Sequence, residues 1–67
     1  MFKSNVFFSK MALYEDSVED LATCLGISRQ TLSSKIECKS EFKRDEIDVI
    51  INRYNLTPEE THEMFFS

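Results

Sequence analysis

The 67-residue chain has one glycine, one proline and no tryptophan. So little turn material excludes sandwiches and barrels, whose many short strands need Gly- and Pro-rich connections. No apolar run approaches the roughly 18 residues of a membrane span. The start, Met1-Phe2-Lys3, lacks the apolar region and small-residue cleavage site of a secretory leader, so none is expected. There are two cysteines, Cys24 and Cys38, where a disulfide-stapled secreted domain usually carries four or more. No CxxC occurs, and the single histidine, His62, lies too far along the chain from Cys38 for a zinc spacing. Both cysteines are read as free thiols in a reducing cytoplasm. No metal, cofactor or small-molecule substrate is expected, and no enzyme activity. His62 reads as a surface residue, and Ser28, Ser33 and Ser34 have no base and orienting acid to make them nucleophiles.

What is present is ordinary globular composition, 42% hydrophobic and 30% charged, which argues against disorder. A chain this short is one domain, residues 1–67, and buries only about 60% of its unfolded surface. The net charge of −4 has the wrong sign for a simple nucleic-acid binder, but its distribution is uneven. Five of the eight basic residues, Arg29, Lys35, Lys39, Lys43 and Arg44, fall within residues 29–44 against Glu37 and Glu41, a local charge of +3. Residues 15–20 and 45–63 are acidic. A basic stripe therefore crosses an acidic molecule. The acidic surplus serves solubility, or offers a surface to a basic partner.

Apolar spacing predicts five short helices and no strand. The first covers about Lys3–Tyr14, with Phe7, Met11 and Tyr14 inward and Val6 and Leu13 beside them. Phe2, Phe7 and Phe8 are too many for one face, so Phe8 or Phe2 is expected outside. Ser17 caps a second helix, with Asp20 in the position of a capping-box acid. Leu21, Ala22 and Leu25 form its stripe, and Gly26 ends it. Ser28 caps a third helix, Arg29 to about Ile36, buried at Leu32 and Ile36 and polar elsewhere. Phe42 plugs the core from the following loop. The fourth helix runs from Lys43 or Arg44 to Tyr54 on Ile47, Ile50, Ile51 and Tyr54. Thr57-Pro58-Glu59-Glu60 opens the fifth with a cap, a proline at the first helical position and a capping-box glutamate. Met64, Phe65 and Phe66 are expected in the core.

Residues 17–36 have the physical recipe of a helix-turn-helix: a small Ala22 for close packing, Gly26 for a tight turn, and Ile27, Leu32 and Ile36 to pin the second helix. That second helix carries no carboxylate. Arg29 suits a guanine edge and Gln30 an adenine edge, and the short Ser33 and Ser34 suit base or phosphate.

Asp20-Leu21-Ala22 and Leu25-Gly26-Ile27-Ser28-Arg29-Gln30-Thr31-Leu32-Ser33-Ser34-Lys35-Ile36 resemble the helix-turn-helix of the phage repressor/Cro-like (XRE) family. Lys10-Met11-Ala12-Leu13-Tyr14 and the tail from Arg53-Tyr54-Asn55-Leu56 to Phe65-Phe66 are similar to small phage and prophage regulators of Gram-positive bacteria. The likeness spans roughly residues 7–66. It implies an all-α, lambda-repressor-like DNA-binding domain and a transcriptional regulator acting in the bacterial cytoplasm, with double-stranded operator DNA as partner and a homodimer forming on it. It implies base contacts from Ser28, Arg29, Gln30 and Ser34, to which the residue reading adds Ser33. It places Ser17, Lys35 and Lys39 near phosphates, and Thr31 and Lys43 complete that set. The chain departs from the family pattern at Val18, where Gln usually holds a phosphate, and at Glu37-Cys38, where Asn-Gly is usual. It departs again at Lys43, where Thr often caps. These departures and the negative charge motivate an alternative on the same fold: an antirepressor, or modulator of repression, that docks on a phage repressor protein.

Overall fold

The computed structural model describes residues 1–66, and its regular structure is entirely helical. The helices are α1 (Ser4–Leu13), α2 (Val18–Leu25), α3 (Arg29–Ile36), α4 (Arg44–Tyr54) and α5 (Pro58–Thr61), which runs on into a π-helical turn, His62–Phe66. None is long and apolar enough to cross a membrane.

The helix starts follow the capping chemistry written in the sequence. Ser17 Oγ accepts the Asp20 N–H at 3.1 Å, and Ser28 Oγ accepts the Thr31 N–H at 3.1 Å. Thr57 and Glu60 form the full reciprocal box at 3.1 and 2.9 Å. The Ser17 box is half-formed, because the Ser17 N–H goes to Asp16 Oδ1 at 2.9 Å instead of Asp20. Lys43 precedes α4. A lysine side chain has no acceptor to cap with, so only Glu46 contributes, taking the Lys43 N–H at 2.8 Å.

Helix ends α1 to α4 share one device. A left-handed residue follows the helix, and the next N–H reaches back five residues, as in Asp16 N–H to Met11 carbonyl at 2.9 Å and Ile27 N–H to Ala22 carbonyl at 3.0 Å. The left-handed positions are Glu15, Gly26, Cys38 and Asn55, with φ between 50° and 72°. A lone glycine does not supply four such turns. Glutamate, cysteine and asparagine fill the other three.

One apolar centre holds the bundle. Phe7 and Met11 of α1 meet Leu21 and Ala22 of α2, Leu32 and Ile36 of α3, Ile50 and Tyr54 of α4, and Met64 and Phe65 of the π turn. Phe42 packs over this centre from the α3–α4 loop, its ring 4.9 Å from Phe2 and 5.5 Å from Phe65. Phe8 is the exposed phenylalanine of the first segment, and Phe2 is half-buried.

Four residues expected on the apolar side are corrected. The first helix ends at Leu13, and Tyr14 lies outside it, exposed, with its ring 5.6 Å from that of Tyr54. Phe7 and Met11, four residues apart, carry the inward face; Leu13 falls off it and is 69% exposed. Phe66 is 60% exposed, because Met64 and Phe65 take the two inward positions of the wide π turn. Leu25, expected within the buried stripe, is half-buried.

Candidate nucleic-acid interface

Gly26, at φ +72°, lets the chain reverse within three residues between α2 and α3. Leu32 is fully buried and Ile36 nearly so, which turns the opposite side of α3 to solvent. Gln30 and Ser34, four residues apart, lie on that outer side. Arg29 and Gln30 are exposed, and their side chains have no hydrogen bond or ion pair among the described residues. Ser33 and Ser34 are half-buried.

Ser28 and Thr31 are exposed but engaged with each other. The Ser28 hydroxyl donates to Thr31 Oγ1 at 2.8 Å while accepting the Thr31 N–H. That leaves the Thr31 hydroxyl proton free to donate outward. Ser17, at the head of α2, likewise spends an acceptor on its cap and keeps its hydroxyl proton.

The five basic residues of the stripe divide into three groups. Arg29, Lys43 and Arg44 are exposed and form no ion pair among the described residues. Lys39 is exposed and pairs with Glu37 at 3.2 Å. Both partners are well solvated, so this pair is worth little and opens readily. Lys35 is different and corrects the expectation that it reaches phosphate. It is only 6% exposed, its ammonium lies 3.1 Å from Glu46 Oε1, and it donates to the Glu41 carbonyl at 3.0 Å. Its position, three residues after Leu32 and next to Ile36, puts it on the inward stripe of α3. That spacing is visible in the sequence and was the available signal. Burial raises the Glu46 pKa, but the Lys43 N–H and the Lys35 ammonium together outweigh it and hold the carboxyl below its ordinary value.

A second polar cluster was not anticipated. Asp16, between α1 and α2, takes four donors on two oxygens. Oδ2 accepts Arg53 Nε at 2.6 Å and the Tyr54 hydroxyl at 2.5 Å. Oδ1 accepts Arg53 Nη2 at 2.8 Å and the Ser17 N–H at 2.9 Å. The Arg53 fork holds the Asp16 carboxyl well below the usual carboxylate range against the opposing effect of burial, and the Tyr54 hydroxyl adds to it. Burial, then the Asp16 hydrogen bond, pushes the Tyr54 hydroxyl above the usual tyrosine value. Residues 37 and 38 positions apart meet here, and no local pattern announces such a contact.

Among the described residues no group of three or more His, Cys, Asp or Glu could hold a metal ion. Cys24 and Cys38 are both free and exposed. Set against models of known protein families, curated proteins and solved structures, the chain shows no match.

Proposed function

We propose that the protein is a sequence-specific DNA-binding transcriptional regulator whose α2–turn–α3 unit is a helix-turn-helix. In this reading α3 enters the major groove. The observation that carries it is the leading turn of α3: a carboxylate-free helix, pinned by Leu32 and Ile36, whose first two residues, Arg29 and Gln30, are exposed with all their side-chain hydrogen-bonding capacity unspent. An arginine suits the two acceptors of guanine, and a glutamine suits the donor–acceptor pair of adenine. Ser34 and Ser33 follow along the helix. Thr31, Ser17, Lys39 and Lys43 supply backbone contacts, which set register rather than sequence. One such helix reads only a few base pairs, so a two-fold dimer on half-sites about 34 Å apart completes the reading. Temperate-phage or prophage origin, and action in the bacterial cytoplasm, belong to the same proposal.

The test is fluorescence anisotropy with operator fragments from beside the encoding gene, titrated with salt. Specific binding above the non-specific background supports the proposal; background-level binding to every fragment refutes it.

One observation favours a second reading. Lys35 is buried in a pair with Glu46, so the basic face is thinner than the sequence implies. Glu19, Asp20, Asp45 and Asp48 are meanwhile exposed. An antirepressor that meets the basic DNA-binding face of a phage repressor would use such acids. Co-purification with the neighbouring repressor, together with no operator shift by the protein alone, selects this reading over the first.

A further inference from the structure

The two buried polar clusters sit at opposite ends of α4 and grip opposite ends of the α2–turn–α3 unit. At the start of α4, Glu46 holds Lys35 from the last turn of α3. At its end, Arg53 and Tyr54 hold Asp16, the residue just before the Ser17 cap of α2. Along α4, Glu46 lies seven residues before Arg53 and eight before Tyr54, which separates the two grips by roughly 10–12 Å. Both are closed to solvent on the side facing the unit: the Lys35 and Glu46 side chains are 7% and 9% exposed, and that of Asp16 is 6% exposed.

Between the grips the contact is apolar, through Leu21, Leu32 and Ile50. Apolar packing holds surfaces together but has little directional preference of its own. Bidentate and multiply bonded ion pairs have fixed geometry. Replacing a buried pair with neutral groups of similar size is commonly neutral for stability, so stability alone does not account for two of them.

We propose that Lys35–Glu46 and Asp16–Arg53–Tyr54 are positioning residues that fix the direction of α3 against α4, and thereby the placement of Arg29 and Gln30 on base edges. The last clause rests on the DNA-binding reading; the fixed direction of α3 does not. Contact geometry of this kind must be held to about 0.5 Å. Two points separated along α4 define the orientation of the unit, where one would leave it free to pivot.

The experiment uses the full chain carrying K35M together with E46Q, and separately R53K. Glutamine keeps an oxygen for the Lys43 N–H, and the double change removes both charges at once. R53K keeps the charge opposite Asp16 but gives up the two-pronged geometry. Three quantities are measured: the melting temperature, residual dipolar couplings of the backbone amides, and the ratio of operator to non-specific affinity. In the parent protein the couplings of α2, α3 and α4 fit one alignment tensor. In K35M/E46Q the fold survives, the α3 couplings depart from the tensor that fits α4, and the affinity ratio falls by about tenfold or more. In R53K the departure begins at α2. Couplings that still fit one tensor in both variants overturn the proposal. So does an unchanged affinity ratio in variants of a parent that discriminates. A parent that shows no sequence discrimination refutes the DNA-binding reading, while the couplings still decide whether the clamps orient α3. If K35M/E46Q unfolds, R53K alone decides.

Discussion

Asp16→Ala should be the most damaging single change outside the apolar core, and its cost can be assembled bond by bond. The Tyr54 hydroxyl is the largest contribution. Tyr54 is fully buried, and without Asp16 its donor has no partner, a loss of about 1–3 kcal/mol. The Arg53 guanidinium is one-third exposed, so water replaces most of what it loses, and its share is at most about 1 kcal/mol. The Ser17 N–H lies at an exposed helix start where water serves equally well. The total is about 1–4 kcal/mol. For a chain of this size that lowers the melting temperature by roughly 7–28 °C. Tyr54→Phe removes the hydroxyl itself and leaves Asp16 with three donors, costing about 1–2 kcal/mol. The double variant contains neither the acceptor nor the stranded donor. It should therefore be more stable than the sum of the two losses implies, by about 1 kcal/mol or more. Thermal melts followed by far-ultraviolet circular dichroism give all three values. If the two losses simply add, Asp16 and Tyr54 do not share a bond and the account of this cluster is wrong.

The same cluster sets a pH dependence. Asp16 and Glu46 are held below their ordinary values in the folded state, so their stabilisation is complete above about pH 5 and drains away as pH falls through 4 and lower. Acid titration of Asp16→Ala should give a flatter curve, and an unchanged acid limb would contradict the assignment. Tyr54 is shifted upward, so its contribution is whole below about pH 10 and lost above it, a limb that Tyr54→Phe should remove. Gly26→Ala meets no atom within 4 Å, so its cost is the left-handed backbone alone, about 1 kcal/mol in a urea melt. Glu15→Gly should do the reverse and gain up to about 1 kcal/mol, since Glu15 occupies the same conformation at an exposed turn. On DNA, Arg29, Lys43 and Arg44, with Lys39 once its exposed pair to Glu37 opens, limit the contribution of the stripe to the slope of log affinity against log salt to roughly −4 per protomer. Lys43→Ala should reduce that slope by about 1, whereas Arg29→Ala should cost about 1–3 kcal/mol and relax one base position.

Much of the architecture was legible because its signals are local. Caps, the tight turn at Gly26 and the Thr57-Pro58-Glu59-Glu60 start act over three or four residues, and α3 occupies the bounds read from the sequence. The left-handed turns at Glu15 and Cys38 were hidden, because neither residue type favours them and only the packed helices on either side impose the conformation. The exposure of Phe66 was hidden as well. A π turn shifts the register of Met64, Phe65 and Phe66, and an apolar run does not disclose which of its members faces in.

Lys35 shows where charge counting fails as a guide to a binding surface. Within residues 29–44 it adds to a basic stripe, and a count of charges does not distinguish it from Lys39. The difference lies in helical phase. Lys39 follows the end of α3 and meets solvent, while Lys35 falls on the Leu32–Ile36 side and must find a carboxylate or be neutralised. Glu46, at the third position of α4, is already turned back toward the helix start by the Lys43 N–H, so the carboxylate is in place when the two helices pack. A charge that looks available for phosphate is therefore consumed in aligning the helix that carries Arg29. Gln30 lies on the opposite phase of α3, and Arg29 opens the helix ahead of its first buried residue, so both stay exposed with no internal partner among the described residues, and the proposed base reading rests on these two rather than on net charge.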